Sequence, residues 1–93
     1  MLVIDCFGKN VYIDDELVGY IAPSGDMYAA GRKFGSLSSE GDIYIQGEYI
    51  GYIDENYEII INGYVGGHVS PDRNLYFDSI ALNQNNENNG YLN

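Results

Sequence analysis

Positive charge is scarce in this sequence: Lys9, Arg32, Lys33 and Arg73 stand against fourteen acidic residues, for a net charge of −10. So acidic a chain repels phosphate backbones and anionic headgroups, and nucleic acid is not expected as a partner. Cysteine is nearly absent. Cys6 has no second thiol to pair with, and a reducing cytoplasm is the expected location. No basic start followed by an apolar stretch reads as a secretory signal. Long apolar runs are missing too, since Ile59-Ile60-Ile61 is among the longest and a spanning helix needs about 20 residues. A soluble chain without a membrane span is expected. Nothing recurs at the 3.6 period, so no helix is predicted. Ser-His-acid, metal-ligand and phosphate-loop spacings are lacking as well, so neither an enzyme nor a cofactor or metal site is expected.

What the chain has is a repeat. Asn10-Val11-Tyr12, Asp26-Met27-Tyr28, Asp42-Ile43-Tyr44, Glu58-Ile59-Ile60 and Asn74-Leu75-Tyr76 open successive copies sixteen residues apart, and Gly19, Gly35, Gly51 and Gly67 recur within the first four. A fixed register means supersecondary units stacked on one another. With 93 residues the chain is one domain that buries only about 60–65% of its unfolded surface, which favours a regular architecture.

Each copy holds apolar stretches of about five residues, rich in Tyr, Ile and Val and divided by turn residues at two alternating places. The first place is a two-residue break: Asp14-Asp15, Ala30-Gly31, Gln46-Gly47, Asn62-Gly63 and Asp78-Ser79. Asn62-Gly63 demands a type I′ turn with positive φ at both residues, and the aligned pairs share the reading. The second place is longer: Pro23-Ser24-Gly25, Ser39-Glu40-Gly41, Glu55-Asn56-Tyr57 and Pro71-Asp72-Arg73, with Cys6-Phe7-Gly8-Lys9 as a forerunner. It fits a type I turn ending in a left-handed residue.

The predicted fold is therefore all-β: about ten short antiparallel strands in sixteen-residue hairpin repeats. Two-residue turns set Ile45 opposite Glu48, Tyr44 opposite Tyr49, Ile43 opposite Ile50 and Asp42 opposite Gly51. One face then collects Val11, Ile13, Val18, Met27, Ala29, Phe34, Ile43, Ile45, Ile50, Ile59, Ile61, Leu75 and Phe77, the expected core. The other collects the tyrosines, the four glycines and Ile21, Leu37, Ile53 and Val69. Leu2-Val3-Ile4-Asp5 resembles Gly51-Tyr52-Ile53-Asp54, the second strand of a repeat. Pairing it with the last strand, 74–78, would close residues 1–82 into a barrel of five-fold pseudo-symmetry and remove both edges. An open hairpin solenoid is the alternative. Residues 83–93, rich in Asn, read as a flexible tail in which Tyr91-Leu92 is the pair able to dock.

The phrase Gly-Asp-Ile-Tyr-Ile-Gln-Gly-Glu-Tyr-Ile-Gly-Tyr-Ile, residues 41–53, and its copies resemble the β-flower proteins, small bacterial domains whose hairpins form a shallow pseudo-symmetric barrel. The resemblance covers residues 1 to about 82. It implies that fold and little chemistry, with a likeness in shape to lipid-associated Tubby-type barrels, from which this chain departs in its acidity. Gly-Tyr-Ile-Asp-Glu-Asn, residues 51–56, is also similar to part of the WG repeat, and Gly-Asp-x-Tyr-x-x-Gly to part of a MORN repeat, but both have periods longer than sixteen.

Tyr12, Tyr28, Tyr44, Tyr49 and Tyr76 form one candidate surface, because tyrosine offers a large rigid ring with a hydroxyl. Packing over a neighbouring glycine is the expectation, recognition the other role. Tyr20, Ser36, Tyr52 and His68 fill one column that would ring the barrel mouth, where a small ligand would enter. Asn10, Asp26, Asp42, Glu58 and Asn74 would make an oxygen-bearing collar, read as turn capping rather than as a cation site. Cys6 and His68 are expected to lie apart. The functional expectation is a non-enzymatic domain for binding or protein interaction. The alternative is a carrier of a small apolar or lipid-like ligand in the barrel mouth or channel. The oligomeric state is left open.

Overall fold

Four two-residue turns organise the structure, a computed structural model that describes residues 2–86. Asp14, Ala30, Gln46 and Asn62 have φ of 51–54° and their successors Asp15, Gly31, Gly47 and Gly63 φ of 67–82°, the type I′ signature that matches strand twist. They produce four hairpins: β1 (Asn10–Ile13) with β2 (Glu16–Ile21), β3 (Asp26–Ala29) with β4 (Arg32–Leu37), β5 (Asp42–Ile45) with β6 (Glu48–Ile53), and β7 (Glu58–Ile61) with β8 (Tyr64–Val69). A ninth strand, β9 (Leu75–Phe77), precedes helix α1 (Ser79–Asn86). At the longer turns the N–H groups of Gly25, Gly41, Tyr57 and Arg73 donate to the carbonyls of Ala22, Ser38, Asp54 and Ser70 at 2.8–3.0 Å. All four donors have positive φ.

Within β5–β6 the first pairs are Ile45–Glu48 and Tyr44–Tyr49, as the turn dictates, but Ile43 then faces Gly51 and Asp42 faces Tyr52. Ile50 is the extra residue of a β-bulge, and Val18, Phe34 and Gly66 are its counterparts in the other hairpins. This corrects the unbroken ladder expected from the turns. One extra residue exchanges the faces beyond it. Val11, Met27, Ile43, Ile59 and Leu75 are buried as expected, but so are Ile21, Leu37, Ile53 and Val69, which simple alternation puts outside. The periodic glycines show why the neighbouring hairpin comes so close: a Cβ on Gly51 would overlap the Ile60 carbonyl, and Gly19, Gly35 and Gly67 face the carbonyls of Tyr28, Tyr44 and Tyr76 in the same way. Backbone, rather than a tyrosine ring, covers these glycines.

The sheet closes into a nine-stranded barrel through a parallel pair, with Val11, Tyr12 and Ile13 opposite Leu75, Tyr76 and Phe77. Two expectations are corrected here: the strands are nine and mixed, and Leu2-Val3-Ile4-Asp5 is not the closing strand. Leu2, Ile4 and Phe7 pack against the core instead, with Cys6 only 1% exposed. Asp5 pairs with Arg73 at 2.9 Å, and Tyr57 donates its hydroxyl to the Val3 carbonyl at 3.3 Å. This segment is held over the long-turn end of the barrel by burial of its apolar residues, so it adds no ladder to the sheet.

Helix α1 corrects both the expected Asp78-Ser79 turn and the absence of helix. The Asp78 carbonyl accepts from Ala81 and Leu82 at 3.1 and 3.3 Å, and the Ser79 N–H and hydroxyl donate to the Asp14 carboxylate. Ala81 lies over Gly66, so tertiary packing carries a segment that has no strong amphipathic period. Asn83–Asn86 are helical, past the point where the tail was expected to begin. The rest of that tail, with Tyr91-Leu92, lies outside the described residues.

Candidate binding surface

Because 11, 27, 43, 59 and 75 point inward, their neighbours Tyr12, Tyr28, Tyr44, Ile60 and Tyr76 point outward, half-buried. The bulge adds the second column to the same side: Tyr20, Tyr52 and His68 are exposed and Ser36 is half-buried. Tyr49 is 54% exposed. All nine candidate residues therefore share the outside of the barrel, which corrects the placing of Tyr20, Ser36, Tyr52 and His68 at its mouth. The one-residue shift in each hairpin is the reason.

The rings are organised in three groups. His68 stacks on Tyr76 at 4.9 Å and 1°, and Tyr76 on Tyr12 at 4.5 Å and 6°, making a three-ring stack over the closing seam. Tyr20 stacks on Tyr28 at 5.5 Å and 16°. Tyr44 and Tyr49 meet edge-on at 5.7 Å and 68°. The Tyr49 and Tyr76 phenols are both raised above the usual value of 10, chiefly by desolvation; Asp42 and the neighbouring phenols add to it at Tyr49, and Tyr12, Asp15 and Asp72 at Tyr76. Both remain neutral hydroxyls near pH 7.

Carboxylates are interleaved with these rings. Lys33 pairs with Asp26 at 3.1 Å, while Asp42 forms no ion pair among the described residues. Arg73 lies 4.4 Å over the Tyr57 ring while holding Asp5. Of the collar positions, Asp42, Glu58 and Asn74 have their N–H groups capped by Ser38, Asp54 and Ser70 at 2.9–3.1 Å. Asn74 caps Asn10 in turn at 3.0 Å. Capping thus runs mostly from the preceding loop to the collar, and no group of three or more His, Cys, Asp or Glu among the described residues is placed to share a metal. Cys6 is buried with its thiol pushed up to about 11, first by burial and then by Asp5, whereas His68 faces outward. They do not form a nucleophile and base.

A second exposed feature escaped the sequence reasoning. Tyr64, Val65 and Ile80 are 75, 56 and 71% exposed and, with Asp14, Ile61, Asp78, Ser79 and Ala81, border a surface cleft of about 340 Å³ between the fourth hairpin and α1. Two signals could have found it: Tyr64 stands where Glu16, Arg32 and Glu48 flank the other turns, and Gly66 where they have Val18, Phe34 and Ile50. No helix among the described residues is long and apolar enough to cross a membrane. No family model, curated protein or solved structure matches this chain.

Proposed function

We propose that this chain is a non-enzymatic interaction domain that holds a basic protein segment against the tyrosine- and acid-bearing outside of its barrel. The observation that carries this is the exposure of Tyr20, Tyr49 and Tyr52 on the outer face, with Asp42 opposite Tyr52 and acting on Tyr49, on a chain of net charge −10. Aromatic rings give a partner contact area at low entropic cost, and the surrounding acidity selects a cationic one and speeds its approach. The carrier alternative is disfavoured because Val11, Ile21, Met27, Ile43, Ile59 and Leu75, all 0% exposed, occupy the interior with the chain's own side chains. The domain is read as five units of the β-flower kind, the fifth cut short after β9. Support comes from the turn bond of Lys9 N–H to the Cys6 carbonyl, at 3.0 Å the forerunner of the four later ones.

Titration of the full chain with pentalysine and with pentaglutamate, followed by proton NMR of the tyrosine rings, tests the reading. Pentalysine is expected to shift outer-face rings in a saturable way that weakens with added salt, and pentaglutamate to leave them unmoved. Equal responses to both, or none to pentalysine, would refute it. Native mass spectrometry showing a co-purified lipid-sized ligand would favour the carrier.

A further inference from the structure

The geometry points to a lysine-binding site on the third hairpin, in which Asp42 takes the ammonium group of a partner's lysine while Tyr44, Tyr49 and Tyr52 enclose its methylene stem. This deepens the proposed function and rests on the outer face being the one that binds. Asp42 and Tyr44 lie two residues apart on one side of β5, about 7 Å along the strand. Directly across on β6, Tyr52 faces Asp42 and Tyr49 faces Tyr44, about 5 Å away. The four side chains thus mark the corners of a small rectangle on the outside of the barrel.

Three observations single out this rectangle. Its exposed rings are accessible, with Tyr49 at 54% and Tyr52 at 42% exposure. Tyr44 and Tyr49 meet at 68°, so at least one ring keeps both faces clear of the other, whereas the parallel pairs elsewhere cover each other. Most tellingly, the chain fills the matching place in its second hairpin with its own cation. There Lys33 occupies the position of Tyr49 and pairs with Asp26, the counterpart of Asp42, at 3.1 Å, on the hairpin that carries Tyr28 at the place of Tyr44. Arg73 repeats the chemistry at the long-turn end, lying over Tyr57 with its charge on Asp5. The third hairpin has the carboxylate and two more rings, Tyr49 and Tyr52 standing where the second has Lys33 and Ser36, and among the described residues no cation pairs with Asp42. A carboxylate beside ring faces attracts an alkylammonium through its charge and the ring quadrupole.

The test uses the full chain and three small probes, n-butylammonium, n-butanol and tetramethylammonium, with proton NMR reading the Tyr44, Tyr49 and Tyr52 rings. Butylammonium is expected to give a saturable shift at these three rings. Butanol should give no saturable shift there, and Asp42→Asn should weaken butylammonium binding about three- to fivefold with the circular dichroism spectrum unchanged. An equal response to butanol, no saturable response to butylammonium, or unaltered binding by Asp42→Asn would overturn the site. Tighter binding of tetramethylammonium would overturn the assignment to lysine in favour of a quaternary ammonium. Pentalysine binding that ignores Asp42→Asn would remove this site and leave the interaction surface standing, whereas butylammonium binding without pentalysine binding would do the reverse.

Discussion

The third and fourth hairpins share one backbone plan and differ in what stands on it. Both have a type I′ turn, both bulge two pairs beyond it, and both set a glycine, Gly51 or Gly67, against a neighbouring carbonyl. At the bulge the third has Ile50, a buried aliphatic side chain, and the fourth has Gly66, over which Ala81 of α1 settles. On the outside the third carries Tyr44, Tyr49 and Tyr52, the fourth Ile60, Val65 and His68. Places where backbone meets backbone admit one residue type, and places where a side chain meets a side chain admit several local solutions. Those second places are where the repeats diverge and where binding features arise.

The sharpest way to break the comparison is Gly51→Val. Its side chain would start inside the Ile60 carbonyl, and because backbone cannot step aside cheaply the expected loss is about 3 kcal/mol or more. Urea denaturation measures it, and a loss below about 1 kcal/mol would reject the close approach. Gly66→Ala should cost less, about 1–2 kcal/mol, because the added methyl meets the Ala81 and Ile61 side chains at 2.8 and 3.0 Å and the helix can lift. Its distinguishing sign is loss of α1, read as amide exchange at residues 79–86, with the strands still protected.

Gly63→Val separates strain from crowding. Gly63 has φ of 82° with nothing within 4 Å of a Cβ, so the expected cost of about 1–2 kcal/mol is conformational alone. An unchanged melting temperature would contradict the turn assignment. The smallest effect belongs to Asp14. The Ser79 hydroxyl, then its N–H, holds the Asp14 carboxyl below its ordinary 3.8. Its contribution is therefore complete above about pH 4 and is lost as pH falls through the lower folded value. Acid titration should release the start of α1 in this range, and Asp14→Asn should remove that part of the pH dependence without disturbing the hairpins.

How much of this was legible follows the range of the forces involved. Asn62-Gly63 could be read because two adjacent residues alone decide a type I′ turn, and the longer turns ending at Gly25 or Gly41 are equally local. The bulge at Ile50 could not, because the bend that it permits acts between hairpins: the reason for Gly51 is the carbonyl of Ile60. Missing that one residue in each hairpin exchanged Ile53 with Tyr52 and put four of the nine candidate residues at a barrel mouth they do not occupy. The tyrosines stood out by their period, and Asp42 as the opening residue of its repeat. Their shared outer corner needed the shifted register. Helix α1 was hidden because its hold is a hole at Gly66, thirteen residues before Ser79, rather than a stripe of its own.

The parallel seam between β1 and β9 also governs time. Each hairpin joins residues close in sequence and can form early, but the seam must bring Asn10 to Asn74 across 64 residues. Relative to a sixteen-residue loop, two doublings of length add about 1.2 kcal/mol of closure entropy. Closure is thus expected to be the late event in folding, after the hairpins have zipped in order. Weakening Tyr76, which stacks on both Tyr12 and His68, should then quicken unfolding far more than it slows folding, so that the lifetime of the closed ring is set where its two ends meet.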